Sequence, residues 1–292
     1  MAKGSPFWGK QKGKLGETVL AVVKGQQIQR AYNGEPANPR SNKQTAQRIV
    51  FANAVKFFKS AIASQFKFAY EDKKQTESDY NAFMRHNVKN GMILDRPQYL
   101  LVNFPSLGEF ILSKGSLTEI PCSDGQGSTL SRFPYNVEVE TAPTTLQQAA
   151  NLYKTGYGLH DGDIITLVAI KSGAEYIHNT VLPPIEWNVV QIKVGDSTDT
   201  RTIDSVSAKM NLNAGKPGLM FSTAASAACG YSIIVSRPTP NGLLVSTARV
   251  WYNAQAQNIL NTSKNPSYIK FAKDSWGMGK ASLLEGSELP NV

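Results

Sequence analysis

The stretch GYSIIVSRPTPNGLLVSTARV, residues 230–250, decides the fold class of this chain. Two runs rich in Ile, Leu and Val lie on either side of a proline-containing turn that ends in Asn241-Gly242. An Asn-Gly pair between two such runs favours the tight turn of a β-hairpin. The stretch therefore predicts two antiparallel strands, and similar runs elsewhere predict that these strands belong to a larger sheet.

Strand-like segments with β-branched residues recur from residue 99 to residue 252. Glycine, proline and asparagine turns separate them at a spacing typical of a β-sandwich. One helix interrupts the series, from Thr144 to Lys154. The candidate strands are YLLVNF (99–104), GEFILS (108–113), YNVEVE (135–140), DIITLVAI (163–170), WNVVQIKV (187–194), TIDSVSAKM (202–210), GLMFST (218–223), GYSIIVS (230–236) and LLVSTARVWY (243–252).

The N-terminal third has a different pattern. The runs ETVLAVV (17–23) and QIQRAY (27–32) flank a short turn and predict a hairpin that follows a glycine-rich arm. Apolar residues then recur at helical spacing from Ser41 to Ile62, and again from Thr76 to Val88. This spacing predicts two amphipathic helices, which a polar loop joins into an αα-hairpin.

The sequence therefore predicts an α+β, mainly β fold in four parts. Residues 1–40 form a basic arm and a hairpin, and residues 41–95 form an αα-hairpin. Residues 96–252 form a β-sandwich-like domain with one inserted helix. Residues 253–292, which are rich in Asn, Ser and Gly, form an irregular C-terminal tail.

Positive charge is concentrated at the N-terminus. The 292 residues carry 31 Lys and Arg against 22 Asp and Glu, a net charge of +9. The first 70 residues hold 12 basic side chains and only two acids, Glu17 and Glu35, so they carry +10 and the remaining 222 residues carry −1. Contact with a polyanion would explain this asymmetry, because neutralised phosphates release condensed counterions. A solvated basic face kept for solubility has the same composition, and the sequence leaves both interpretations open.

Aromatic and basic residues alternate in this N-terminal quarter, as they do in proteins that bind single-stranded nucleic acid. The cations would contact phosphates, while Trp8 and Tyr32 would stack on bases or anchor the arm in a neighbour. The arms of capsid proteins, and arms that dock into a neighbouring subunit, have the same composition. The candidate nucleic-acid-binding residues are Lys3, Trp8, Lys10, Lys12, Lys14, Arg30, Tyr32, Arg40, Lys43 and Arg48.

Signals of catalysis are weak in this chain. The three histidines lack metal-ligand spacing, and two cysteines are too few for a disulfide framework or a four-thiolate zinc site. The segment His160-Asp161-Gly162-Asp163 precedes a strong strand and is interpreted as a turn rather than a cation site. Cys229 lies among small apolar residues and is expected to be a buried hydrophobic residue. We therefore expect no enzymatic activity, no catalytic residue, no bound metal and no cofactor.

The sequence gives no indication of a membrane or of a secretory route. It contains no run of about 18 apolar residues, and its basic N-terminal segment lacks the apolar core of a signal peptide. The expected location is inside the cell, or outside it after lysis, with no membrane partner.

Short motifs along most of the chain share a common pattern with other proteins. They are Gly13-Lys14-Leu15-Gly16, Val19, Val23-Lys24-Gly25, Arg30, Asn38-Pro39-Arg40, Gln44, Gln47-Arg48, Phe51, Val55-Lys56-Phe57, Tyr80-Asn81-Ala82 and Ile111–Leu117, and more weakly Asp161-Gly162-Asp163 and Val245-Ser246-Thr247-Ala248. These motifs resemble an uncharacterised family of Bacteroidota and gut-phage proteins, most specifically in the N-terminal third. The resemblance implies a short N-terminal helical unit followed by an immunoglobulin-like or fibronectin-like β-sandwich, without catalytic residues. It also implies a phage setting, in the cytoplasm of a bacterial host or in a phage virion. This chain departs from the family pattern in its longer β region and its C-terminal tail.

The function expected from the sequence is that of a non-enzymatic, phage-type structural protein of the virion or of its assembly. Its basic segment, residues 1–70, would contact nucleic acid or neighbouring subunits, and the chain would form a homo-oligomer or associate with virion subunits. One alternative is a single-stranded DNA-binding protein that acts in phage replication. Another is a host-surface adhesion module that binds through the loops of the β-sandwich.

Overall fold

The computed structural model describes most of the chain and divides it into two compact units. The described residues are 2–3, 12–34, 42–91, 107–123, 130–172, 185–222, 229–240 and 242–277. The first unit is Met1–Ser41 and the second is Asn42–Val292. Helices and several antiparallel sheets occur together, which confirms the predicted α+β, mainly β class.

The first unit is a four-stranded antiparallel sheet. Its strands are β1 (Ala2–Lys3), β2 (Gly13–Leu15), β3 (Thr18–Val23) and β4 (Gln26–Ala31), and they lie in the order β1-β4-β3-β2. Lys24 and Gly25, between β3 and β4, have left-handed φ values of 50° and 78°. A two-residue hairpin turn of the tightest kind requires this conformation at both positions. The predicted hairpin is therefore confirmed, with one further strand on each side.

Six helices and eleven strands of the second unit lie within the described residues. None of these helices combines the length and the hydropathy needed to cross a bilayer. The helices are α1 (Asn42–Ala63), α2 (Asp79–Asn87, continued by a 3-10 turn at Val88–Asn90), α3 (Leu146–Tyr157), α4 (Ile203–Met210), α5 (Ala254–Lys264) and α6 (Pro266–Gly277). The strands are β5 (Ala69–Tyr70), β6 (Ile111–Lys114), β7 (Leu130–Pro134), β8 (Ile164–Ser172), β9 (Ile185–Lys193), β10 (Leu212–Gly215), β11 (Gly218–Ser222), β12 (Cys229–Thr239), β13 (Gly242–Val245), β14 (Ala248–Arg249) and β15 (Trp251–Tyr252).

A five-stranded antiparallel sheet, which we call the central sheet, organises this unit. Its strands lie in the order β13-β12-β8-β9, and β15 pairs with β12. The predicted hairpin joins β12 to β13, where Thr239 opposes Gly242 across a two-residue loop. In β8, Leu167 belongs to one buried core and Val168 to another. Because successive side chains of a strand point to opposite faces, the central sheet is buried on both faces.

A small sheet and a helix cover the first face of the central sheet. Strands β10, β11 and β7 form a three-stranded antiparallel sheet. Phe221 of β11 stacks on Tyr231 of β12, with the ring centroids 4.5 Å apart. Helix α3 contributes Leu146 and Tyr153 to the same core. Two sheets therefore pack face to face through their apolar side chains, as sheets do in a β-sandwich.

The αα-hairpin covers the second face of the central sheet with aromatic side chains. The ring centroid of Phe57, on α1, lies 4.0 Å from that of Phe110 and 5.0 Å from that of Trp187 on β9. The indole Nε1 of Trp187 donates a hydrogen bond to Ser60 Oγ at 3.0 Å. These rings form an aromatic cluster, whose members are Phe57, Phe58, Phe66, Phe68, Phe83, Phe110 and Trp187.

The αα-hairpin belongs to the same compact unit as the β region. Its aromatic side chains share a core with β8, β9 and β12, and residues 42–292 form a single unit. The boundaries expected near residues 95 and 252 therefore do not separate compact units. Polar contacts also join the two parts, since the Glu71 carboxylate accepts hydrogen bonds from the amides of Val245 at 2.6 Å and Ser116 at 3.1 Å. The apolar stripe of the hairpin needs the sheet to cover it, and the second face of the sheet needs the hairpin.

The C-terminal region begins with two helices, α5 and α6, where the sequence predicts an irregular tail. Asn253 Oδ1 accepts a hydrogen bond from the Ala256 amide at 3.0 Å, and Asn265 Oδ1 accepts one from the Ser267 amide at 2.9 Å. Asparagine residues that suggest irregular chain therefore cap helices. The tail residues 278–292 lie outside the described residues. Apolar residues of α5 and α6 are buried, namely Ala256, Leu260, Tyr268 and Ala272.

Two of the strand predictions are wrong, for local reasons. Residues 202–210 contain helix α4, because Thr202 Oγ1 accepts a hydrogen bond from the Ser205 amide at 3.3 Å and caps its start. Residues 135–140 are not a strand, because Asn136 has a left-handed φ of 58° that ends the extended chain after β7. The candidate strand at 99–104 lies outside the described residues.

Replacing Phe57 with Ala tests whether the helices and the central sheet unfold together. Phe57 is fully buried, whereas Phe51 on the same helix is 46% exposed. We expect F57A to lower the free energy of unfolding by about 3–5 kcal/mol, because truncating a buried Phe leaves a cavity. The control F51A should change it by about 0.5 kcal/mol or less. Urea unfolding, followed by circular dichroism and by tryptophan fluorescence, measures both variants. Two separate transitions in the wild-type second unit would contradict a shared core.

Candidate nucleic-acid interface

Cations and an aromatic ring of the first unit gather on one face of its sheet. Lys14 of β2 pairs with Val19 of β3, and Val19 pairs with Arg30 of β4. Directly opposed residues of antiparallel strands point to the same face, so these three residues form one row across the sheet. Tyr32, two residues beyond Arg30, lies on the same face, and its amide donates a hydrogen bond to the Glu17 carbonyl. We call this the basic face.

Apolar side chains fill the space beside that row. Ile28 opposes Ala21, and Val23 opposes Gln26, all at positions whose alternation places them on the basic face. Val23 is 50% exposed, and the other apolar residues here are half-buried. The basic face therefore has an apolar strip, which consists of Val19, Ala21, Val23 and Ile28.

The opposite face of the sheet differs sharply in charge. At the paired positions of β2, β3 and β4 it has no charged residue. The separation follows from the strand sequences, because Lys14 and Arg30 fall on one side of the alternation. The residues of the uncharged face are Gly13, Leu15, Thr18, Leu20, Val22, Gln27, Gln29 and Ala31.

Lys14 and Tyr32 contact each other on the basic face. The Lys14 ammonium lies 3.6 Å from the centroid of the Tyr32 ring, and Tyr32 is 47% exposed. This cation–π contact orients the ammonium without neutralising it. Among the described residues, no carboxylate lies within ion-pair distance of Lys14 or Arg30. Both cations are therefore exposed and available to an anion.

The structure brings together three of the ten candidate residues, Lys14, Arg30 and Tyr32. Lys12 is exposed and immediately precedes β2, while Lys3 occupies the register position opposite Ile28.

The other candidates lie elsewhere. Lys43 and Arg48 belong to α1 in the second unit, and Arg48 is exposed. Trp8, Lys10 and Arg40 lie outside the described residues. The apolar strip was not predicted as part of a site, although the alternation of ETVLAVV (17–23) contains the signal.

The N-terminal half of the chain resembles a known family. Residues 9–140 match a family of unknown function, DUF6266. The matched segment includes the basic face, the αα-hairpin and strands β5 to β7, while the central sheet lies beyond it. The predicted resemblance to an uncharacterised family is confirmed for this segment, whereas its Bacteroidota and phage setting stays a prediction. Neither a curated protein nor a solved structure gives a significant match.

A second cluster of ionisable side chains lies on the αα-hairpin. Asp72 accepts a hydrogen bond from Arg85 Nη1 at 2.9 Å, and His86 Nε2 lies 2.9 Å from Asp72 Oδ1. Arg85 Nε also donates to Glu77 at 3.0 Å. The hydrogen bonds from Arg85 lower the pKa of Asp72 to about 2. These contacts fasten the loop between β5 and α2 to the helix.

The pairing of His86 with Asp72 has the composition of part of a catalytic triad. Within the described ranges, no hydroxyl or thiol forms a hydrogen bond with His86, and its ring instead stacks on Tyr70 with centroids 4.7 Å apart. Among the side chains that the structure describes, His86 therefore positions no nucleophile, and the contacts of the cluster hold the hairpin together.

Residues 160–163 form a turn and Cys229 is buried, as the sequence predicts. Asp163 forms two hydrogen bonds of 2.7 Å with Arg237 and accepts a third from the His160 amide at 2.8 Å, which makes residues 160–163 a turn. Cys229 is fully buried, and this burial raises the pKa of its thiol. In the part of the chain that the structure describes, no three His, Cys, Asp or Glu residues are placed to hold a metal.

Acid should weaken the contacts of Asp72. Its pKa is about 2 in the folded protein against an ordinary value of 3.8, so its contribution to stability is present above pH 4 and is lost as the pH falls through 2. We expect D72N to lower the free energy of unfolding at pH 6 by about 1 kcal/mol or less, because Asp72 is 41% exposed and solvent screens its pairs.

Urea unfolding between pH 2 and pH 6 measures the difference between D72N and the wild type. That difference should shrink as the pH falls below about 3. Glu119→Gln, at an exposed carboxylate without an ion pair to the described residues, is the control and should show no such trend. A D72N deficit that is constant over the whole pH range would contradict the prediction.

Proposed function

We propose that this protein is a non-enzymatic, phage-type structural protein that contacts nucleic acid through the basic face of its N-terminal sheet. The observation that carries the proposal is the row of Lys14, Val19 and Arg30, with Tyr32 on the same face and no carboxylate pairing the two cations among the described residues. Residues 1–41 hold seven basic and two acidic side chains, a net charge of +5 in a small unit.

The spacing of the two cations suits a chain of phosphates. Lys14 and Arg30 lie on strands β2 and β4, which flank β3, so their backbones are about 10 Å apart across the sheet. That separation is close to the Debye length at physiological salt, so both charges act on the same segment of a bound polyanion. Arg30 can donate two parallel hydrogen bonds to one phosphate, and Lys14 contributes a mobile point charge.

The structural role and the phage setting rest on the motifs shared with the uncharacterised family. The ionisable cluster at Asp72 and His86 supports no competing enzymatic assignment, because its side chains are engaged in holding the hairpin. A virion or assembly protein that meets packaged nucleic acid would need an exposed cationic surface on a stable body. The basic face and the doubly covered central sheet supply these two features.

Removing both cations of the row tests the proposal. We expect the double variant K14Q/R30Q to weaken binding to a fluorescently labelled oligonucleotide. It should also reduce the slope of log affinity against log salt concentration by about 1.4 for single strands, or about 1.8 for duplex, because two phosphate contacts are lost. Fluorescence anisotropy between 50 and 200 mM salt, about the range over which such contacts are normally resolved, provides the measurement.

The matched control is K209Q/K216Q, which removes two exposed lysines from the second unit. It should leave the slope within about 0.5 of the wild-type value. Absence of binding by the wild-type chain at the lowest salt would refute the proposal. Equal losses in the two double variants would show that net charge, rather than the basic face, determines binding.

A further inference from the structure

We infer that the basic face binds single-stranded nucleic acid in preference to duplex, with Tyr32 as the side chain on which a base stacks. The inference rests on the proposed function and specifies its ligand class. It is drawn from the surroundings of the Tyr32 ring and from the apolar strip next to the two cations.

The Tyr32 ring has a cation on one face, and about half of the residue is exposed. Lys14 Nζ occupies one face of the ring at 3.6 Å from its centroid, yet 47% of the residue stays exposed. Residue 34 is a glycine, and a Cβ at this position would stand 3.4 Å from Tyr32 Cε1. Because residue 34 is a glycine, it places no side chain on that part of the ring. A base can therefore stack on Tyr32 while its phosphate lies near Lys14.

The apolar strip offers a ligand a contact surface beside the two cations. Val19 lies between Lys14 and Arg30, and Val23 on the same strand is 50% exposed. Bases of a single strand can lie on such a surface while the backbone passes the cations, and aromatic stacking adds to the affinity. A duplex keeps its bases stacked inside, so it would meet the two cations but leave the apolar strip without an apolar counterpart.

The shape of the sheet also disfavours reading of a duplex. Proteins that read the major groove insert a helix or a two-stranded ribbon that projects into it. The basic face is formed by side chains of three neighbouring strands, β2, β3 and β4, with no helix among the described residues of this unit. A surface built from several strands can support splayed bases, as the sheets of RNA-binding modules do.

Three oligonucleotide probes separate the contributions of base and phosphate. They are a 20-nucleotide oligothymidine, a 20-base-pair duplex, and a 20-nucleotide abasic strand that keeps the phosphates but has no bases. We expect the full-length protein to bind oligothymidine more tightly than either of the other probes at the same salt concentration. The abasic strand measures the phosphate contacts that both functions share.

Substitution of Tyr32 tests the stacking role directly. Y32L keeps an apolar side chain and removes the ring, so its affinity for oligothymidine should fall about 5- to 150-fold, the range for loss of one stacked base. Its affinity for the duplex and for the abasic strand should change less than about 2-fold, since no phosphate contact is removed. Y32F retains the ring and should keep the wild-type preference.

A second variant leaves Tyr32 in place. G34V puts a branched side chain against the ring without a change of charge, and Gly34 has no left-handed φ that would strain it. We expect at least about a 3-fold loss of oligothymidine affinity, with the abasic strand unaffected. Circular dichroism of each variant verifies that the sheet is intact, and a variant that lost the sheet would lose abasic binding as well.

The outcomes distinguish a failure of the proposed function from a failure of this inference. If the wild-type chain binds none of the three probes, the proposed function and this inference both fail. If it binds all three equally, or if Y32L and G34V retain the wild-type affinity for oligothymidine, this inference fails while nucleic-acid contact through phosphates stands. A selective loss of oligothymidine binding in both variants, with Y32F unchanged, supports the inference.

Discussion

Burial of the central sheet on both faces is the constraint around which the second unit is arranged. Antiparallel sheets commonly leave one face to solvent, but Leu167 and Val168, adjacent on β8, enter different cores. Each face therefore needs its own cover, and two chemically different layers provide it. The small sheet with α3 packs on one side, and the aromatic rings of the αα-hairpin, including Phe57, pack on the other. Removal of either layer would expose a continuous apolar surface.

Local signals in the sequence predict helices and strands better than they predict which of these elements pack against each other. The strands of 230–250 were predictable because proline, asparagine and glycine between two β-branched runs indicate a turn, although Gly242 itself begins β13. The apolar stripe of α1 shows that one side is buried, but it does not reveal that the central sheet buries it. Helices α4 and α5 were missed because each start depends on one capping oxygen, on Thr202 and on Asn253, whose hydrogen bonds depend on the backbone conformation around them.

For the candidate site, too, the sequence identifies residues but not which of them lie together. Composition located the cations in the N-terminal quarter, whereas strand register decided that Lys14, Arg30 and Tyr32 share a face. A shift of one residue in the pairing of β2 would place Lys14 on the uncharged face, and the amino-acid composition does not reveal that difference. The apolar strip was overlooked because valine and isoleucine in a strand ordinarily indicate core. In a sheet as small as this one, such residues are also part of the surface.

The aromatic cluster crosses the end of the segment that matches the family. Phe57 and Phe83 lie within residues 9–140, whereas Trp187 and the remainder of the central sheet lie beyond them. The matched segment thus contains the aromatic surface of the αα-hairpin but not the face of the central sheet that packs on it. A relative that keeps these rings but continues with a different sequence would have to offer them another broad apolar surface. After residue 140, the sequence of the loops can therefore vary freely, whereas each side chain that packs on the αα-hairpin is constrained. Substitutions in the two halves of such proteins would be expected to occur together.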